Sequence, residues 1–189
     1  MKINLKQIYK GLDEWRAERK ITAESQKEGY IINIMEELGE LSQALRGLEI
    51  EIVRKTAEHE IIDALCDIAI FTINAGADVN CNEKIEIINT SQTTRCNSSL
   101  SFLLSECGNF VYYGKFSSYV CFNQILLSCA KLCEQYGFNF EIAMLETIKE
   151  ISSRTGAYDK KAKKWIKDTS DEAKAKWYKA NYELARIKQ

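Results

Sequence analysis

Apolar residues recur every three or four positions over most of this chain, the spacing that lays them along one side of an α-helix. Leu5, Ile8, Leu12 and Trp15 predict a first helix over about 4–20. Ile31, Ile34, Leu38, Leu41, Leu45 and Leu48 predict a second, opened by a capping box at Ser25 and Glu28. The turn after Gly47 and the charged Glu49-Ile50-Glu51 separate it from a third helix over about 56–75. A shorter helix is expected over 82–89, then a polar connector over 90–99. After a helix over 140–153, residues 154–159 read as a turn, followed by the basic run Lys160, Lys161, Lys163, Lys164 and Lys167. A last helix, capped at Ser170 with Asp171 and Glu172 in its first turn, is expected to carry Trp177, Tyr178, Tyr182 and Leu184.

The second half echoes the first weakly. Leu103-Leu104-Ser105-Glu106-Cys107-Gly108-Asn109 follows the pattern of Ile34-Met35-Glu36-Glu37-Leu38-Gly39-Glu40, and Tyr136-Gly137-Phe138-Asn139-Phe140 that of Ala75-Gly76-Ala77-Asp78-Val79. A duplicated helical hairpin packed as a four-helix bundle accounts for this, and so does chance similarity between two helical stretches. The second copy has lost its acids, so one working site is expected.

Composition sharpens the class. The chain has no proline and only 9 glycines, several where helices should stop, which points to an all-α fold. At 189 residues, 46% hydrophobic and 28% charged, it suits a single domain over 1–189, with the intact acidic motifs at 26–79, a second helical pair at 99–154 and a basic tail with a helix at 155–189. The formal charge of −1 gives no general pull toward nucleic acid or an anionic membrane. No apolar run approaches the roughly 20 residues that span a bilayer, and Met1 to Lys6 lack a signal-peptide block, so a cytoplasmic location is expected. The 7 cysteines include no Cys-x-x-Cys pair, and His59 is the only histidine. Cys66, Cys107, Cys121, Cys129 and Cys133 sit in apolar helical stretches and read as small buried thiols.

The chemistry is concentrated in two helices. Glu37 and Glu40 on the second, and Glu60 and Asp63 on the third, each stand three apart, the spacing that puts two side chains on one face. Both pairs adjoin core positions. If the helices pack antiparallel, four carboxylates converge, and like charges about 4 Å apart repel by on the order of 4 kcal/mol at an effective dielectric near 20. A cation among them would relieve this, and oxygen ligands without His or Cys suit Mg²⁺, with Mn²⁺ as a substitute. The competing reading is a solvated acidic face paired with Arg46, Arg54 or Lys55.

Glu36-Glu37-Leu38-Gly39-Glu40 followed by Glu60-Ile61-Ile62-Asp63 resembles the Glu-Glu-x-x-Glu … Glu-x-x-Asp signature of the all-α NTP pyrophosphohydrolases, the superfamily of MazG and the dimeric dUTPases. Trp15-Arg16-Ala17-Glu18-Arg19 and Ala75-Gly76-Ala77-Asp78 look like the flanks of that signature. The resemblance spans about 12–79 and is loose beyond. It implies that Glu37, Glu40, Glu60 and Asp63 hold Mg²⁺, that Glu36, Glu37 and Glu40 supply the catalytic carboxylates, and that Asp67 lies behind the ligands. It further implies hydrolysis of a nucleoside triphosphate, such as dUTP or dCTP, to monophosphate and pyrophosphate by a homodimer or homotetramer. Lys149 and Arg154 resemble the family's phosphate-contacting pair, the lysine run with Lys163 and Lys164 reads either as reaching a triphosphate or as a solvated surface run, and Trp15 is placed either to stack on a base or to anchor the core. His59 reads as a surface residue. A helical interaction protein with remnant acids is the rival reading.

Overall fold

The computed structural model describes residues 2–77, 86–88, 100–112, 119–159, 161 and 164–188. The expected connector over 90–99, and Lys160 and Lys163 of the basic run, lie outside these residues.

Helices dominate, and the fold is all-α. A short strand β1 (Lys2–Asn4) precedes α1 (Lys6–Arg19), α2 (Ala23–Gly47), a 3₁₀ turn (Glu51–Val53) and α3 (Arg54–Ala75). Strand β2 (Glu86–Ile88) is followed by α4 (Leu100–Tyr112), α5 (Tyr119–Gln135) and α6 (Phe140–Ser153). The chain ends with β3 (Gly156–Asp159), β4 (Lys164–Lys167), a one-turn α7 (Asp171–Lys174) and a second 3₁₀ turn (Tyr182–Ala185).

Helix α2 is capped by Thr22, whose hydroxyl accepts from the Ser25 amide at 3.2 Å; the expected Ser25–Glu28 box is displaced by one helical turn. It returns antiparallel against α3. Tyr30 near its start hydrogen-bonds Thr72 near the end of α3, and a Cβ on Gly47 at its other end would stand 2.9 Å from Ala57 Cβ. Helix α3 is the axis of the molecule, packing on α2, α5, α6 and α1. Accordingly it is buried on most sides, with Ile61, Ile62, Leu65, Ile68, Ala69 and Ile73 all essentially inaccessible. Phe110 of α4 and Phe122 of α5 close the far side, and α1 lies against α6. Cys66, Cys107, Cys121, Cys129 and Cys133 are buried free thiols, as expected.

Three expected elements take another form. Residues 86–88 of the expected fourth helix form a strand pairing with β1 (Ile3 opposite Ile87). The turn expected over 154–159 is instead the first strand of a hairpin, β3 against β4, with Tyr158 opposite Trp165 and Ala157 opposite Ile166. Ser170 caps as expected, accepting from the Ala173 amide, but its helix stops at Lys174, and Trp177 to Asn181 continue without regular structure. His59 is half-buried, with Nε2 2.8 Å from Glu183 and its ring edge-on to Phe138 and Tyr182. Among the described residues no helix is long and apolar enough to cross a membrane.

Candidate active site

The antiparallel level of α2 and α3, set by Tyr30 at Thr72 and Gly47 at Ala57, brings Glu37 and Glu40 alongside Asp63 and Asp67. Glu37 points inward and is 8% exposed, while Glu36 and Glu40 flank it on the surface. Asp63 and Asp67, one turn apart on α3, are half-buried. The third wall comes from the end of α6, where Glu150 is ion-paired at 2.8 Å with Arg154, the residue just after the helix.

These carboxylates disturb one another. Burial, then Glu40, Asp63 and Glu36, push the Glu37 carboxyl up to about 8, against a small opposing pull from Arg154. Burial, then Asp63 and Glu37, hold Asp67 well above the usual carboxylate range. Asp63 is raised mainly by burial and further by Glu150 and Glu40, while a hydrogen bond from Tyr182 and the charge of Arg154 act the other way. Arg154 is the cation that offsets all three, and it is already shared with Glu150. Carboxyls therefore outnumber the cation that offsets them, and their ionisation is disfavoured.

Beside the cluster, and sharing Asp67 and Arg154 with it, lies a cavity of about 140 Å³. Trp15, Phe71 and Trp165 supply aromatic walls, and Lys167 a second cation. Arg19 underpins it. Its guanidinium lies 5.4 Å from the Trp15 ring centre and 5.2 Å from that of Trp165, and it donates to the carbonyls of Ile151, Ser152 and Arg154 at 3.3, 3.1 and 3.0 Å. One buried cation thus closes the C-terminus of α6, where carbonyls lack helical partners, and fixes both indoles.

No family model, curated protein or solved structure matches this chain. The site must be judged on its own geometry.

Of the residues singled out in the sequence, Glu37, Glu40, Asp63, Asp67 and Arg154 are brought together, with Glu36 at the rim and Trp15 in the adjoining cavity. Glu60 is exposed one turn before Asp63. Lys149 is turned to other partners, donating to Glu146 at 3.2 Å with Nζ 4.5 Å from the Tyr178 ring centre. Lys164 stands in β4 opposite Asp159, and Lys163 lies outside the described residues. Sequence reasoning missed Arg19, Glu150 and Tyr182. The first two carry a faint signal, each one helical turn from a residue that was noticed, Trp15 and Arg154.

Among the described residues, no group of three or more acidic, histidine or cysteine side chains is placed to hold a metal ion. The donor chemistry nevertheless fits a hard divalent cation: carboxylate oxygens only, too many for the one guanidinium beside them, and a buried Glu37 whose ionisation nothing nearby sufficiently favours.

Proposed function

We propose that this chain is a Mg²⁺-dependent nucleoside triphosphate pyrophosphohydrolase of the all-α MazG and dimeric dUTPase type, acting on a deoxynucleotide such as dUTP or dCTP. The observation that carries the reading is the facing of Glu37 and Glu40 with Asp63 and Asp67, more carboxyls than the guanidinium beside them can offset, next to a cavity walled by aromatic rings and lined by three cations, Arg19, Arg154 and Lys167.

Glu37, Glu40 and Asp63 would hold Mg²⁺ or Mn²⁺, and Glu60, expected as a fourth ligand, stands exposed outside this group. The bound ion supplies charge screening of the triphosphate and a more acidic water. The chain's own groups do the rest. Arg154 and Lys167 pair with phosphate oxygens at the mouth of the cavity. Trp15, Phe71 and Trp165 exclude water and offer faces on which a base stacks. A cavity of roughly 150 Å³ takes one benzene ring, so about 140 Å³ suits a single-ring pyrimidine. A carboxylate among Glu36, Glu37 and Glu40 accepts the proton of the attacking water. Exposed Ile31, Ile32 and Met35 on α2, close in sequence to Glu36, offer an apolar surface for self-association as a homodimer or homotetramer.

Incubation with a panel of nucleoside triphosphates and Mg²⁺ is expected to release pyrophosphate, not orthophosphate, and pyrimidine deoxynucleotides are expected to lead. Glu40→Ala and Asp63→Ala should each abolish it. Full activity in both variants would sink the assignment.

A further inference from the structure

Tyr182 lies far along the chain from α3, in the last 3₁₀ turn, and is 4% exposed. Its hydroxyl donates to Oδ1 of Asp63. The Tyr182 hydroxyl oxygen also stands 2.9 Å from Oγ1 of Thr147 on α6. With its single proton on Asp63, Tyr182 can only accept from Thr147, whose one hydroxyl proton is shared between Tyr182 and the Ala143 carbonyl, 3.0 Å away.

The phenol is held on both sides along the chain. Ahead of it, the Ala180 amide donates to Glu150 at 2.8 Å and the Asn181 amide to Glu146 at 3.0 Å. Behind it, the Asn139 amide donates to the Ala185 carbonyl at 2.7 Å and the Ile187 amide to that of Gly137 at 2.8 Å. Arg186 then ties Glu183 to Glu58 while its guanidinium lies 4.4 Å from the Phe138 ring centre. A rigid two-torsion side chain clamped in this way cannot follow a carboxylate that swings. Asp63 has to stay where the hydroxyl is.

We propose that Tyr182 is a positioning residue for Asp63, fixing which carboxylate oxygen is committed to the protein and which is left for a ligand of the acidic cluster. This rests on the reading of that cluster as a Mg²⁺ site. Groups that orient a metal-binding side chain typically change affinity by about 10–100-fold when removed.

The test is a calorimetric Mg²⁺ titration of the full chain, run beside the pyrophosphate assay. Tyr182→Phe is expected to weaken Mg²⁺ binding by about 10–100-fold and to recover turnover as Mg²⁺ is raised. Tyr178→Phe, which removes a hydroxyl bonded to Glu146 from the same segment, should keep wild-type affinity. Unchanged affinity in Tyr182→Phe, or equal weakening in both variants, overturns the proposal. Should Tyr182→Phe not fold, Thr147→Val must weaken Mg²⁺ several-fold, and no change there overturns it equally. A wild-type protein that binds Mg²⁺ without releasing pyrophosphate, with Tyr182→Phe weakened, upholds the role of Tyr182 and removes the proposed reaction. Wild-type protein that binds no Mg²⁺ removes both.

Discussion

Replacing Glu37 by glutamine isolates the energetic conflict at the centre of the acidic cluster. The buried carboxyl is held at about 8 against an ordinary 4.5, so between those values the folded protein keeps a proton that the unfolded chain has lost. Wild-type stability from this group is therefore full below about pH 4.5, falls as pH rises through the window, and is gone above about pH 8. Each pH decade is worth about 1.4 kcal/mol, which puts ionised Glu37 at on the order of 5 kcal/mol of destabilisation in metal-free protein. Glutamine mimics the protonated acid and removes the slope. It also relieves Asp67, which Glu37 helps to raise. Thermal melts in chelator from about pH 5 to about pH 9 read the difference directly. At about 2–4 °C per kcal/mol for a chain of this size, Glu37→Gln should melt on the order of 10 °C above wild type at the alkaline end and close to it at the acid end. Mg²⁺ should raise the alkaline melting point of wild type and leave the variant unmoved. Parallel curves across the range, or a variant less stable above about pH 8, would refute the argument that burial and like charge dominate at Glu37.

Other outcomes follow from single contacts. Arg19→Met strips a charged donor from two carbonyls of α6 and that of Arg154 just after it and should cost about 2–4 kcal/mol in urea unfolding, with Arg19→Lys restoring less than half; an unshifted midpoint contradicts the role given to the guanidinium. A Cβ at Gly156 would stand 2.3 Å from the Ile166 carbonyl oxygen and 2.8 Å from Trp165 Nε1, so Gly156→Ala should displace Trp165 and raise nucleotide KM about tenfold with a smaller change in kcat; an unaltered KM argues against Trp165 as a wall of the binding cavity. Hydrogen bonds from Arg186 and then His59 hold the Glu183 carboxyl down at about 2, so its tie to the last 3₁₀ turn is intact above about pH 4.5 and lost as pH falls toward about 2. Amide exchange at Ile187 should quicken through that interval in wild type and be pH-insensitive, beyond intrinsic exchange, in Glu183→Gln.

The two helices that carry the acids were legible because each interrupts an apolar stripe with carboxylates at helical spacing. Helical rotation also explains where that reading was coarse. Positions four apart stay closer to one line than positions three apart, so the partly buried edge of α3 runs through Asp63 and Asp67 and leaves Glu60 outside. Long-range pairings left no local trace. The strand at 86–88 is three residues long and finds its partner at the N-terminus, and the hairpin over 156–167 is lysine-rich without a clean alternation, so neither carries a period to detect. Tyr182 was assigned to a helix because its neighbours suit one, whereas the backbone amides of Ala180 and Asn181 are instead drawn to Glu150 and Glu146 of α6.

Those same amides revise the expectation that the second half contributes nothing acidic. Glu150 is an acid of α6, and it raises Asp63 and Asp67 from across the cluster while its own oxygens are held by Arg154 and the Ala180 amide. The two halves therefore divide the work by environment. Acids on α2 and α3 lack adequate partners and are costly to ionise, which leaves them in need of a cation. Two acids of α6, Glu146 and Glu150, are satisfied within the protein by a lysine, an arginine, a tyrosine hydroxyl and two backbone amides. Burial alone does not distinguish the groups, since Glu146 and Glu37 are 7% and 8% exposed. What distinguishes them is hydrogen-bond supply: Glu146 is held below its ordinary pKa by its donors, and Glu37 is driven above its own by burial and by neighbours of like charge. A chain that satisfies one buried glutamate so fully and leaves the other so exposed to repulsion has its uncompensated carboxyls on the α2–α3 side, where Asp67 lines the cavity, and not on the α6 surface.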